Sequence, residues 1–180
     1  GSAIDFGIFT AAGTYTVIAM NLTTTCTNNM TGSAVINVNP LPAAYTITGG
    51  GAYCSGGAGV NIGLSNSATG VNYQLYRAGA PMGSPVSGTG APISFGLQTL
   101  TGSYTVVGTN ISTLCLSNMT GSVTVSINAL PAVFTVTGGG SVCVGGVHIG
   151  LSNSTVGVNY QLYMGGSAVG GVISGTGTAI

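Results

Sequence analysis

One arginine, one aspartate, one histidine, no lysine and no glutamate in 180 residues leave this chain with a formal net charge of zero. A typical soluble domain is about a quarter charged, so whole classes of function fall away. One arginine cannot neutralise a phosphate backbone, which excludes electrostatic nucleic-acid binding, and one aspartate cannot furnish the several oxygen ligands of a calcium site.

The same inventory argues against catalysis. General acid–base chemistry needs titratable groups held together, and only Asp5 and His148 are on offer, far apart in sequence. No cofactor motif is present. The glycine runs Gly49–Gly51 and Gly138–Gly140 follow apolar stretches, but no helix pattern or lysine follows them. They read as turns or bulges and not as a phosphate cradle. No apolar run approaches the roughly 18 residues of a membrane-spanning helix, and the glycines lack the period of three of collagen.

Taken from the N-terminus, the chain is a succession of short alternating runs broken by Gly, Ser and Asn. Gly13–Val17 (GTYTV) is the first clear one, with Tyr15 on its inward side; Cys26 and the run Asn29–Ser33 (NMTGS) follow. After the Pro-containing joint Asn39–Pro42 come seven candidate strands: Ala44–Thr48, Val60–Leu64, Val71–Arg77, Met82–Val86, Pro92–Gly96, Ser103–Thr109 and Ser122–Asn128. Tyr73 and Tyr104 fall on the inward side of the third and sixth. Period-two runs between turn residues argue for antiparallel strands with one buried face, and glycine is too frequent for helix. A second joint, Asn128–Pro131 (NALP), opens a third stretch whose Tyr160 holds the place of Tyr73.

The stretches repeat. Asn29–Ser33 returns as Asn118–Ser122, 89 positions on; Ile62–Ser67 (IGLSNS) returns as Ile149–Ser154 and Gly70–Tyr76 (GVNYQLY) as Gly157–Tyr163, both 87 positions on. The offset shrinks because Cys54–Gly63 (CSGGAGVNIG) is shortened to Cys143–Gly150 (CVGGVHIG). His148 thereby falls at the position of Asn61, so the repeat does not require a histidine there. Gly177–Ile180 (GTAI) matches Gly1–Ile4 (GSAI). The expectation is a two-repeat window of a longer array: residues 1–41 supply the last strands of one domain, 42–130 a complete one, and 131–180 the first strands of a third. Neither partial stretch can bury its apolar face alone. Each needs its own continuation or a neighbouring copy, so the expected partner is the protein itself.

Seven short strands in a repeat of about 88 residues predict an all-β fold of tandem immunoglobulin-like antiparallel sandwiches. The runs Gly13–Val17 (GTYTV) and Gly102–Val106 (GSYTV), each with a cysteine about ten residues on, resemble the sixth strand of PKD-like and Ig-like repeats. Such repeats stand in tandem in very large secreted surface proteins of Bacteroidota-type bacteria, and the resemblance implies an extracellular, cell-surface location. The Trp–Asp pair usual in the third strand of PKD-like domains is replaced here by Tyr73–Arg77 (YQLYR), and the acidic turn positions are missing.

Cys26, Cys54, Cys115 and Cys143 recur in the same pattern, one before the second strand and one after the sixth. Their spacing is not that of a zinc site, and it suggests disulfides in an oxidising compartment. Two pairings stay open: Cys54 with Cys115 inside one domain, or each cysteine with one in a neighbouring domain. The first requires opposite ends of a sandwich to approach within disulfide reach, about 7 Å between Cα atoms. Asn-X-Ser/Thr sequons at Asn21, Asn29, Asn110, Asn118 and Asn153 are expected by chance in a chain this rich in Ser and Thr. The function this inventory predicts is structural: an extracellular filament of tandem repeats, with no charged side chains to oppose edge-to-edge association. A passive stalk of a large adhesin, or a carbohydrate-binding face of Tyr and Asn, are the alternatives.

Overall fold

The computed structural model describes residues 1–180 as seventeen β-strands without a helix. No helix is long and apolar enough to cross a membrane. Two compact units divide the chain, residues 1–52 with 58–126 and residues 53–57 with 127–180. These limits differ from the three stretches drawn at the proline joints.

In the first stretch, β1 (Gly13–Tyr15) pairs antiparallel with β4 (Ala34–Ile36) and β2 (Ile18–Met20) with β3 (Thr27–Asn29). Together they form one two-stranded ribbon interrupted by a short break. The turn between β2 and β3 is built by Asn21, whose Oδ1 accepts the N–H groups of Thr23 (2.9 Å) and Thr24 (3.1 Å).

The middle of the chain forms two sheets. One orders β10 (Ile93–Gln98), β7 (Val60–Leu64) and β5 (Ile47–Gly49). The other orders β6 (Gly51–Cys54), β13 (Val123–Asn128), β11 (Gly102–Asn110), β8 (Val71–Arg77) and β9 (Ala80–Ser87), with β12 (Leu116–Asn118) also on β11. Alternation decides which side chains turn inward. On β8, Val71, Tyr73 and Leu75 are buried while Asn72, Gln74 and Tyr76 are only half-buried. Ile47, Ile62 and Leu64 from the first sheet join Tyr73, Leu75, Tyr104, Val106 and Val125 from the second in a single sandwich-like core.

The glycine run expected as a turn or bulge is a switch between the sheets. Gly49, Gly50 and Gly51 have φ of +87°, +74° and +118°, a region closed to most side chains. They end the pairing of β5 with β7 and carry the chain across to β13. There the two segments run in the same direction: Thr46 bridges Thr120 in parallel, Gly50 packs on Val123, and Ser55 N–H donates to the Asn128 carbonyl at 2.8 Å. The last expected run, Ser122–Asn128, is the single strand β13, and the short β12 precedes it on the same neighbour, β11. Between β12 and β13 Met119 drops into the core, and the Thr120 backbone bonds both Tyr45 and Ile47.

In the last stretch, β14 (Val136–Gly138) pairs with β15 (Ile149–Leu151) and β16 (Asn159–Met164) with β17 (Ser167–Ser174). Ile180 exchanges two backbone hydrogen bonds with Leu151, at 2.6 and 3.2 Å.

Candidate functional site

No group of three His, Cys, Asp or Glu side chains comes together anywhere in the chain. Asp5 is exposed, and its carboxylate accepts only the Gly7 N–H, at 2.8 Å. His148 is exposed beside β15, and its backbone carbonyl accepts the Gly139 N–H at 2.9 Å. Arg77 donates through Nη1 to the Thr101 carbonyl at 3.0 Å, while its buried Nε has no partner. All four cysteines are free thiols: Cys26, Cys54 and Cys143 are exposed and Cys115 is half-buried. Cys115 lies beside the β11–β12 turn, where its carbonyl accepts the Asn110 N–H, and Cys54 ends β6 next to the Ser55–Asn128 bond. No Sγ–Sγ bond joins Cys54 to Cys115.

The tyrosines expected in the core separate into two classes. Tyr73 and Tyr104 are fully buried. Tyr104 donates its phenol to the Leu100 carbonyl at 2.7 Å, and the Tyr73 oxygen accepts the Ala68 N–H at 2.8 Å. Burial raises the Tyr73 phenol above its ordinary range, against the Ala68 bond that lowers it. Tyr15 and Tyr160 make the same bonds, to the Ala11 carbonyl and from the Thr155 N–H, both at 2.9 Å, yet both rings are only half-buried.

What separates these classes also defines the site. The register Gly13↔Ile36 and Ile18↔Asn29 of the first ribbon is that of Gly102↔Val125 and Val107↔Asn118, moved by 89. The register Val136↔Leu151 is that of Ile47↔Leu64 moved by 89 and 87 on its two sides, and Asn159↔Ser174 is that of Asn72↔Ser87 moved by 87 on both, as the sequence is. The flanking stretches therefore fold locally as parts of the middle one, without the strands that cover those parts there. Val17 is 37% exposed where its counterpart Val106 is 1%, Val136 is 66% exposed against 6% for Ile47, and Leu162 is 43% exposed against 1% for Leu75.

Each uncovered face borders an open groove. The first, of about 790 Å³, is lined by Phe6, Phe9, Tyr15, Val17, Met30 and Ile36 among others. The second, of about 580 Å³, is lined by Val136, Ile149, Leu151, Tyr160, Leu162 and Ile173 among others. Counterparts of Tyr15, Val17, Met30 and Ile36, and of Val136, Ile149, Tyr160 and Leu162, meet in the core of the middle sandwich. The grooves are thus two halves of one core. Fully covering each large aliphatic side chain is worth roughly 1.5–3 kcal/mol.

Two elements escaped the sequence reading. Ser67 is buried; its Oγ donates to the Ala91 carbonyl (2.6 Å) and accepts the Thr89 N–H (2.9 Å), pinning the loop after β9. Ser154 does the same with Thr178 and Thr176. Asn110, singled out only as part of a sequon, caps the β11–β12 turn through Ser112 and Thr113 N–H groups, as Asn21 caps its own. The signal was the repetition of polar residues at loop positions, verbatim around Ser67 and Ser154 and limited to the asparagine, a threonine and the cysteine in the turns of Asn21 and Asn110.

Comparison with protein-family models, with curated proteins and with solved structures yields no match.

Proposed function

We propose that this chain is a structural protein: a segment of an extracellular filament built from tandem immunoglobulin-like, PKD-like sandwiches, with no catalytic role. The observation that carries this reading is the recurrence of strand registers. A ribbon equivalent to β11–β13 precedes a complete sandwich, and a set equivalent to β5 and β7–β9 follows it. The strand order supports the immunoglobulin-like assignment, since the first strand is shared between both sheets through Gly49–Gly51. So does Tyr104, whose phenol reaches back to a backbone carbonyl four residues upstream in the manner of a tyrosine corner.

The near absence of charge supports assembly. Exposed strands normally carry charged residues that prevent edge-to-edge pairing, and here the one basic residue, Arg77, lies on β8 between β11 and β9 and not on an edge. Under this reading the cysteines staple consecutive sandwiches, Cys54 and Cys143 to cysteines of the following one and Cys26 and Cys115 to cysteines of the preceding one. An oxidising exterior takes up the two electrons and two protons of each thiol pair. Electron microscopy of the purified chain tests the function: ordered multi-chain filaments are expected, and single beaded strings would favour the passive stalk. Non-reducing peptide mapping tests the staple, which a peptide pair joining Cys54 to Cys115 of one sandwich would end.

A further inference from the structure

The middle sandwich carries an exposed hydrogen bond between its β10 and β7 strands, Ser94 Oγ donating to Asn61 Oδ1 at 2.6 Å. Moved by 89 positions, Ser94 becomes Asp5; moved by 87, Asn61 becomes His148. The only acid and the only histidine of the chain therefore hold the two halves of one hydrogen-bonded position. Within its own stretch neither has the other half. Asp5 has no strand equivalent to β7 beside it, and the strand equivalent to β10 that would pass His148 reaches only Ile180. That residue already bonds Leu151 as Ile93 pairs with Leu64, so the next one along falls beside Gly150, as Ser94 pairs with Gly63, and its side chain reaches the His148 position as Ser94 Oγ reaches Asn61.

We infer that the face formed by β14–β17 receives residues 5–36 of a second copy of this chain, head to tail, with Asp5 of that copy accepting a hydrogen bond from the His148 imidazole. This rests on the filament reading and names its joint. Asp5 of the second copy follows Ile180 in space as Ser94 follows Ile93, and Gly1–Ile4, which repeat Gly177–Ile180, stay outside. Tyr15, Val17, Met30 and Ile36 of the second copy then fill the groove lined by Val136, Ile149, Tyr160 and Leu162, as Tyr104, Val106, Met119 and Val125 do in the middle sandwich. Charge complementarity selects this occupant. In a chain with almost no charge, a Ser-for-Asp and an Asn-for-His exchange fall on one contact and make an acid–base pair of it. An occupant with the middle sandwich's serine would leave the imidazole without its carboxylate.

Sedimentation velocity of the 180-residue chain over a range of concentrations, in reducing buffer at low salt and mildly acidic pH, tests the joint. The wild type is expected to form oligomers that lengthen with concentration, and Val17→Asp to stay monomeric while urea unfolding of its middle sandwich is unchanged. His148→Asp places two carboxylates together and weakens association about three- to tenfold. The double variant Asp5→His with His148→Asp restores it, and the His148→Asp defect shrinks at high salt. A wild type that is monomeric throughout, while a fusion repeating residues 5–41 after Ile180 folds its last stretch, would make the chain's own continuation the occupant and overturn the inference. Association that Val17→Asp does not touch would also overturn it. Association that Val17→Asp abolishes but the charge variants leave unaltered would dismiss the Asp5–His148 contact and leave the filament standing.

Discussion

Residues 70–76 and 157–163 have the same sequence, GVNYQLY, and different surroundings. In the first, Tyr73 and Leu75 are fully buried beneath the opposing sheet; in the second, Tyr160 is half-buried and Leu162 is exposed. Yet the local bonds are the same in both. Tyr73 and Tyr160 accept N–H groups five residues back, and Gln74 and Gln161 reach the Met82 and Val169 carbonyls at 2.9 Å. Local hydrogen bonding follows the sequence of the segment, whereas burial depends on which strands arrive from elsewhere. The contrast is between a finished core and the same core left open.

Substitutions at matched positions break this comparison most sharply. Tyr104→Ala empties a closed core and is expected to cost the middle sandwich about 3–5 kcal/mol in urea unfolding. Tyr15→Ala, at the matched place in the open ribbon, stays within about 0.5 kcal/mol in the monomer. Equal effects at the two sites would mean that the first stretch is as tightly covered as the second.

Next in size is Gly49→Ala. Its φ of +87° strains any side chain, and a Cβ there meets the Asn61 carbonyl. A loss of about 1–3 kcal/mol is expected, and an unchanged midpoint would refute the role of the glycines as a sheet switch. Ser67→Ala and Ser154→Ala probe a feature that both regions share. Each removes a buried bonded hydroxyl, and a loss of about 1–2 kcal/mol is expected from the first. In the open region the readout is faster amide exchange at Thr176.

The smallest effect is alkaline. Burial holds the Tyr73 phenol protonated beyond the range in which an unfolded tyrosine ionises. The unfolded state therefore releases this proton first as pH rises. The stabilisation is complete below about 10, where an unfolded tyrosine ionises, and is lost as pH climbs above it. Tyr73→Phe should flatten that decline, as followed by urea midpoints across the range.

Much of the fold was legible in the residues. All seven runs chosen between the proline joints overlap strands of the middle sandwich, because β-branched alternation between glycines leaves the backbone few other choices. The errors lie where tertiary contacts overrule the pattern. Ala44–Thr48 reads as one strand of one sheet, but the chain goes on past Gly50 as β6 in the other sheet. The short β12 and the buried Met119 that follows it lie outside every run chosen, because no local period announces them. β9 runs over Ala80–Ser87 despite Pro81 and Pro85, as a strand at the end of its sheet allows. At the candidate site, the need for completion was visible in the repeat. The correspondence of Asp5 and His148 with a bonded pair was not, because it comes only from the Ser94–Asn61 side-chain bond, which the fold brings together across β10 and β7.

The parallel course of the Thr46–Ser55 and Thr120–Asn128 segments has a mechanical consequence. Tension applied through the joints at Pro42 and Pro131 pulls the two adjacent segments past one another lengthwise. The bonds from Ile47 to Thr120 and from Ser55 to Asn128 then share the load and fail together, where a hairpin pulled from its open end would lose them one at a time.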